Sequence, residues 1–91
     1  MFKSVAEARR DIRTGDMLLV MHNPIHLWNV SIEGYEGWKS FVKTVERSIV
    51  ICVVCVAEEE SYQSGILSLT FLYDGIMARA LLHAKNITKL T

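Results

Sequence analysis

The sequence has little proline, little cysteine and no excess charge. Among 91 residues there are one proline and two cysteines, and ten basic side chains balance ten acidic ones. So few cysteines exclude a small domain held together by several disulfides. The balanced charge lacks the basic excess that nucleic-acid-binding domains usually carry. The longest apolar run, residues 49–57, is shorter than the roughly 20 residues of a membrane-spanning helix, so we expect no membrane partner.

The chain length allows one domain, residues 1–91, with one modest hydrophobic core. The hydrophobic fraction of 51 % is slightly above the level usual for a soluble domain. Because so short a chain has much surface for its volume, some apolar side chains must stay on the surface, where apolar patches often mark contacts. Composition therefore favours a homo-oligomer or a subunit of a larger assembly. The N-terminal residues carry charge at once and no apolar signal-like stretch, so we expect a cytoplasmic protein.

A short helix and two strands are predicted in the first third of the chain. Ser4 followed by Glu7 is a capping-box pattern, and apolar residues recur at helical spacing, so residues 4–13 are predicted to be helical. Residues 16–21 form a compact apolar run and are predicted to be the first strand. Residues 26–32 alternate between two faces, which is typical of a half-buried strand.

The stretch 48–58 is rich in valine and isoleucine and is predicted to be a central strand buried on both faces. It contains Cys52 and Cys55, a spacing shared with redox and zinc motifs. In a regular strand, residues three apart point to opposite faces, and the sequence has no second cysteine pair to complete a zinc set. We therefore interpret both as buried structural thiols, with a metal or redox role as the alternative.

A β-hairpin is predicted near the C-terminus. Residues 66–73 and 76–84 are two apolar runs joined by Asp74 and Gly75. Asp-Gly between such runs is a strong hairpin signal because both turn residues must adopt positive φ. Residues 86–90 are predicted to be a turn and a short final strand.

Residues 33–47 leave two alternatives open. Tyr35, Trp38, Val42 and Val45 fall at helical intervals, which favours a short helix. The same residues could instead form a long excursion between strands.

The order of elements in the second half carries a resemblance. A strand over 49–58 is followed by a polar loop, a strand ending in Leu-Tyr-Asp-Gly at 72–75, a returning strand, and a last turn and strand over 83–90. The Gly-Asp before the first strand fits the same scheme. This order resembles the small Src-homology-3-like β-barrels common in tailed bacteriophages. Residues 33–47 depart from it by being longer and more aromatic than the usual loop. The aromatic and acidic peptide-binding cluster of signalling members is not matched, so the resemblance implies a fold and no ligand site.

The predicted fold is therefore mainly β. It is a small Src-homology-3-like barrel or an open antiparallel sheet of five to six strands, with one or two short helices. No constellation in the sequence predicts catalysis. His22 and His26 are four residues apart, but Pro24 between them excludes the helical geometry of a metal pair. Glycines never cluster as in phosphate-binding loops. We expect no enzyme, no cofactor and no metal.

The aromatic residues supply the candidate contact. Large aromatic side chains provide much of the binding energy when they lie at the centre of an interface. In so small a chain tryptophans belong more often to the core, which is the first interpretation here. If they are exposed, the candidate partner contact comprises Trp28, Tyr35, Trp38 and Lys39.

Two hypotheses about function follow. The first is a non-enzymatic protein-interaction or assembly subunit, homo-oligomeric and phage-derived, cytoplasmic or virion-associated. The alternative is a nucleic-acid-binding small barrel, which would bind through a strand face and loops. That alternative requires the basic side chains to gather on one side, namely Arg9, Arg10, Arg13, Lys39, Lys43, Arg79, Lys85 and Lys89.

Overall fold

The computed structural model describes residues 1–21, 24–30, 41–56 and 65–91, with the backbone alone for 41–43. Within these ranges a short helix precedes seven strands, and a 3₁₀ turn (Ala84–Asn86) lies between the last two strands. The elements are α1 (Val5–Asp11), β1 (Met17–Val20), β2 (Ile25–Asn29), β3 (Phe41–Val45), β4 (Ile49–Val56), β5 (Ile66–Tyr73), β6 (Ile76–His83) and β7 (Ile87–Lys89).

All seven strands belong to one antiparallel sheet in the order β3-β2-β6-β5-β4-β1-β7. Leu18 on β1 and Leu27 on β2 are four strands apart in this order, about 19 Å in a flat sheet. Both are nevertheless fully buried in the same hydrophobic core. Helix α1 has seven residues, about 10 Å of length, and is too short to cover such a sheet. The sheet must therefore curl around its own core, leaving an inner face and an outer face.

Helix α1 begins and docks as its sequence predicts. The Ser4 hydroxyl accepts a hydrogen bond from the Glu7 N–H at 3.1 Å, which is the capping contact expected at a helix start. Ala8 and Ile12 are buried in the core. Because a helix this short is marginal by itself, its stability must come from this packing. The predicted helix over 4–13 is thus confirmed, with its regular part ending at Asp11.

The hairpin of β5 and β6 is also confirmed. Asp74 and Gly75 have φ of 51° and 79°, as a two-residue turn of this type requires. The turn sets an eight-pair register from Ile66 opposite His83 to Tyr73 opposite Ile76. That register directs Leu69 and Phe71 toward the core.

Three expectations are corrected. The predicted helix over 33–47 is wrong for the described residues 41–47, because Phe41–Val45 is strand β3, paired with β2. The described chain consequently has seven strands rather than five to six. Strand β4 is not buried on both faces, since Val50 is 48 % exposed. The core lies on the inner face, which carries Ile49, Ile51 and Val53 of β4. The mainly antiparallel β class itself is confirmed.

Candidate interaction surface

A row of apolar side chains crosses the outer face of the sheet. Met17 on β1 is paired with Cys52 on β4, Cys52 with Leu72 on β5, and Leu72 with Met77 on β6. Directly opposed residues share a face, with Cβ atoms about 5 Å apart. The row therefore runs without a break across four strands, a span of about 14 Å. Leu72, in its middle, is 49 % exposed.

Further apolar side chains flank this row. Leu19 on β1 faces Val50 on β4, next to the pair Met17 and Cys52. Leu81 on β6 is 56 % exposed, but Arg79 separates it from Met77 on the same face. Leu90 lies beside Met17, because its N–H donates to the Met17 carbonyl at 2.8 Å. The strand residues among them alternate along their strands with residues that point into the core. Packing of the core therefore does not account for their apolar side chains. The outer apolar surface is defined as Met17, Leu19, Val50, Cys52, Leu72 and Met77.

A β-bulge places both cysteines on the outer face. Cys52 is paired with Leu72 and Cys55 with Thr70, and the register shifts between Val53 and Cys55. The extra residue of a bulge reverses the alternation beyond it, so residues three apart end on the same side. Both thiols are free, Cys52 half-buried and Cys55 exposed. The prediction of two buried thiols on opposite faces is therefore wrong.

Trp28 lies at the edge of a second row on the outer face. It is paired with Arg79 on β6, Arg79 with Thr70 on β5, and Thr70 with Cys55 on β4. The Arg79 guanidinium donates from Nε to the Thr70 hydroxyl at 3.3 Å, and Thr70 is buried although its side chain is polar. Trp28 is half-buried and is not part of the core.

The rest of the aromatic contact predicted from the sequence cannot be placed. Tyr35, Trp38 and Lys39 lie outside the described residues, so only Trp28 of that set has a position. It lies next to the outer apolar surface rather than inside the core. Sequence reasoning missed the outer apolar surface because a continuous valine-rich strand was interpreted as buried on both sides. The signal that could have found it is the chain length, which allows one modest hydrophobic core.

Polar contacts join the two chain ends at the β7 edge of the sheet. The Asp16 carboxylate accepts from the Arg13 N–H at 2.8 Å and lies 3.2 Å from the Lys89 ammonium. Lys89 also donates to the Asp11 carbonyl at 2.8 Å, and the Thr91 hydroxyl accepts from the Met17 N–H. The Arg13 N–H holds the pKa of the Asp16 carboxyl below its ordinary value, and Lys89 lowers it further. This cluster stabilises the charged carboxylate and has no free nucleophile.

His26 on β2 shares a hydrogen bond of 3.0 Å between its Nδ1 and the Thr44 hydroxyl on β3. Across the described ranges, histidine, cysteine, aspartate and glutamate nowhere form a group of three that could hold a metal ion. None of the helices in this part of the chain is both long enough and apolar enough to cross a membrane. No protein-family model matches the chain, and no curated protein or solved structure is detectably similar to it.

Proposed function

We propose that the protein is a non-enzymatic assembly subunit that associates with a second copy of itself through the outer apolar surface. The observation that carries this proposal is the unbroken row Met17, Cys52, Leu72 and Met77 on the outside of the sheet. Contiguous exposed apolar patches of a few hundred Å² mark interaction sites in soluble proteins. Folding alone gives no reason for such side chains on a solvent-facing side.

A second copy fits this surface in charge. The row Met17, Cys52, Leu72 and Met77 contains no acidic or basic residue, and the chain has a formal net charge of zero. Arg79 lies beyond Met77 on the same face, where its guanidinium donates to the Thr70 hydroxyl. Two copies of the row can therefore meet about a two-fold axis without placing like charges within it, each row contacting its own equivalent.

The size of the surface fits a weak contact between two copies rather than a standard interface. Strands β4, β5 and β6 have eight residues each, so with β1 they cover roughly 500 Å² in projection. A standard interface buries about 800 Å² of solvent-accessible surface on each partner. Accessible surface follows the contours of the side chains, so it is larger than the flat projection. Because the curled sheet is convex outward, the contact between two copies is smaller than the whole face. We expect a dimer that dissociates at roughly micromolar concentration.

The fold supports a place among the Src-homology-3-like small barrels. The antiparallel succession of β4, β5 and β6, followed by the 3₁₀ turn and β7, is the order on which that resemblance depends. Phage origin, and with it a virion-associated rather than a cytoplasmic location, remains part of the proposal. Neighbouring head or tail genes would support it, and neighbours of unrelated metabolism would count against it.

The decisive experiment is sedimentation velocity from low to high micromolar protein, with Leu72→Glu as the test variant. The wild type is expected to shift from monomer to dimer as concentration rises. Leu72→Glu is expected to remain monomeric at every concentration, because dimerisation would bury two uncompensated carboxylates. A wild type that stays monomeric throughout overturns the proposal.

Ala6→Glu is the matched control, because it adds the same charge at an exposed position of α1, away from the outer face. It is expected to dimerise as the wild type does. Leu72→Lys introduces the opposite charge at the same position. It should abolish the dimer as Leu72→Glu does, because the cost comes from burying a charge of either sign. Circular dichroism and thermal melts confirm that each variant is folded. A Leu72→Glu variant that is folded and still dimeric contradicts the assignment of the interface.

The nucleic-acid alternative has less support from the described residues. Arg10 lies 3.2 Å from Asp11 and Lys89 lies 3.2 Å from Asp16, while Arg47 donates to the Tyr73 hydroxyl. Such cations already have partners that a phosphate would have to displace. A gel-shift assay at low salt tests it. Salt-sensitive binding by a monomeric wild type would favour this alternative over the assembly role.

A further inference from the structure

Methionine makes up half of the apolar row on the outer face. In the order Met17, Cys52, Leu72 and Met77, a methionine stands at each end, one on β1 and one on β6. The chain has four methionines. Among the described residues, the buried core is built from other apolar side chains and contains none of them. The two row methionines therefore lie where a second copy is proposed to bind, and not where the fold is packed.

A thioether sulfur can be oxidised, whereas a leucine side chain of similar size cannot. Hydrogen peroxide transfers one oxygen atom to the methionine Sδ. The S–O bond forms, the O–O bond of the peroxide breaks, and its other oxygen leaves as water. The sulfur loses two electrons and the peroxide gains them. The product, methionine sulfoxide, is a polar side chain in place of an apolar one.

Peroxide has access to both row methionines in the monomer. Met17 and Met77 are each half-buried rather than buried. Association of two copies would cover them, so the monomer is the form that is oxidised more readily. Because the expected dimer dissociates at roughly micromolar concentration, monomer is present for this reaction.

We propose that oxidation of Met17 and Met77 by a hydroperoxide separates the two copies, so that the outer apolar surface is a redox-sensitive contact. This inference rests on the dimer proposed above. A two-fold axis through the middle of the row brings Met17 of one copy opposite Met77 of the other, and a dimer of oxidised chains would therefore enclose four sulfoxides.

Each sulfoxide oxygen is a hydrogen-bond acceptor, and the opposing row offers it no side-chain donor stronger than the Cys52 thiol. Burying such acceptors without partners lowers affinity. We expect the dissociation constant of the dimer to rise at least about a hundredfold on oxidation.

The test is sedimentation velocity on protein treated with hydrogen peroxide and then with dithiothreitol, which returns disulfides and sulfenic acids to thiols but leaves sulfoxides. Mass spectrometry measures the extent of oxidation at each methionine. Untreated wild type is expected to dimerise, and protein with sulfoxide at both row positions to be monomeric at the same concentrations. Methionine sulfoxide reductase should restore the dimer, which assigns the effect to methionine rather than to cysteine.

The variant Met17→Leu with Met77→Leu keeps the row apolar and removes its thioethers. Its own dissociation constant should change by less than about twofold on peroxide treatment. Met21→Leu is the matched control, because Met21 is 44 % exposed and follows β1 outside the outer apolar surface. This control should dimerise before treatment and lose the dimer after it, as the wild type does.

The outcomes separate this inference from the dimer itself. An untreated wild type that stays monomeric overturns the dimer and this inference together. A dimer that persists with sulfoxide at both row positions overturns the redox inference alone. So does a leucine double variant whose dimer is lost on treatment, since the responsible group then lies elsewhere. Circular dichroism of the oxidised wild type should remain that of the folded chain, and unfolding on oxidation also contradicts the inference.

Discussion

The two faces of the sheet carry the same kinds of apolar side chain but bury them to different extents. On β5, Leu69 and Phe71 point inward and are fully buried, whereas Leu72 points outward and is half exposed. On β6, Leu82 is buried and Leu81 is exposed. Burial from water stabilises the inner residues by about 1.5–3 kcal/mol each, but the outer residues gain little of this on folding. The inner face is therefore accounted for by the fold, and the outer face is where we propose that a second copy binds.

The largest expected difference in stability is between two alanine variants, one on each face. Phe71→Ala should destabilise the protein by about 3–5 kcal/mol, because it removes a fully buried aromatic ring and leaves a cavity. Leu72→Ala should cost less than about 1 kcal/mol, because its side chain is half in water. Urea unfolding at low protein concentration, where no dimer forms, measures both. Similar losses for the two variants would contradict the assignment of the faces.

The next largest effect on stability is expected at the Asp-Gly turn, which sets the register of β5 and β6 and so decides which residues face inward. Gly75 has φ of 79°, and a Cβ at this position would meet nothing within 4 Å. Gly75→Ala should therefore destabilise through backbone conformation alone, by about 1–2 kcal/mol.

Asp74→Asn is the control for that turn, because asparagine tolerates positive φ, and it should change stability by less than about 0.5 kcal/mol. Thermal unfolding of both variants makes the comparison. A Gly75→Ala variant as stable as the wild type would mean that the turn does not hold the register.

The parts of the fold that sequence could predict are those specified by neighbouring residues. The Ser4 cap and the Asp-Gly turn act within four residues, and both are found as predicted. Strand β3 was missed because Val42 and Val45 belong to a pattern that also fits a helix, and pairing with β2 decided between helix and strand. That pairing is a tertiary contact, and local propensity cannot reveal it.

The outer face shows a second reason why the structure could not be predicted fully from the sequence. The alternation of β4 is hidden because Val50 and Ile51, one exposed and one buried, are both β-branched and apolar. The bulge between Val53 and Cys55 then turns the second thiol outward, and no local residue signals it. The candidate contact was expected from aromatic residues, whereas the surface found here is aliphatic and sulfur-containing.

The smallest expected effect is at the edge where the two faces meet. Asp16 and Lys89 are 3.2 Å apart with side chains 16 % and 33 % exposed, so water weakens their attraction. Because the folded state lowers the pKa of the Asp16 carboxyl, the charged form stabilises the fold at pH values above the carboxyl's ordinary pKa of about 3.9. This contribution is lost as pH falls from there through the lower folded pKa.

Asp16→Asn keeps an acceptor for the Arg13 N–H but removes the charge. It should lower the melting temperature by a few degrees at neutral pH, and the gap to the wild type should close in acid. Lys89→Gln should reproduce part of the loss, and added salt should shrink it. A gap between wild type and Asp16→Asn that is constant from neutral pH to pH 3 would show that shape rather than charge holds this edge. The edge would then resemble the inner face, where packing alone provides the stability.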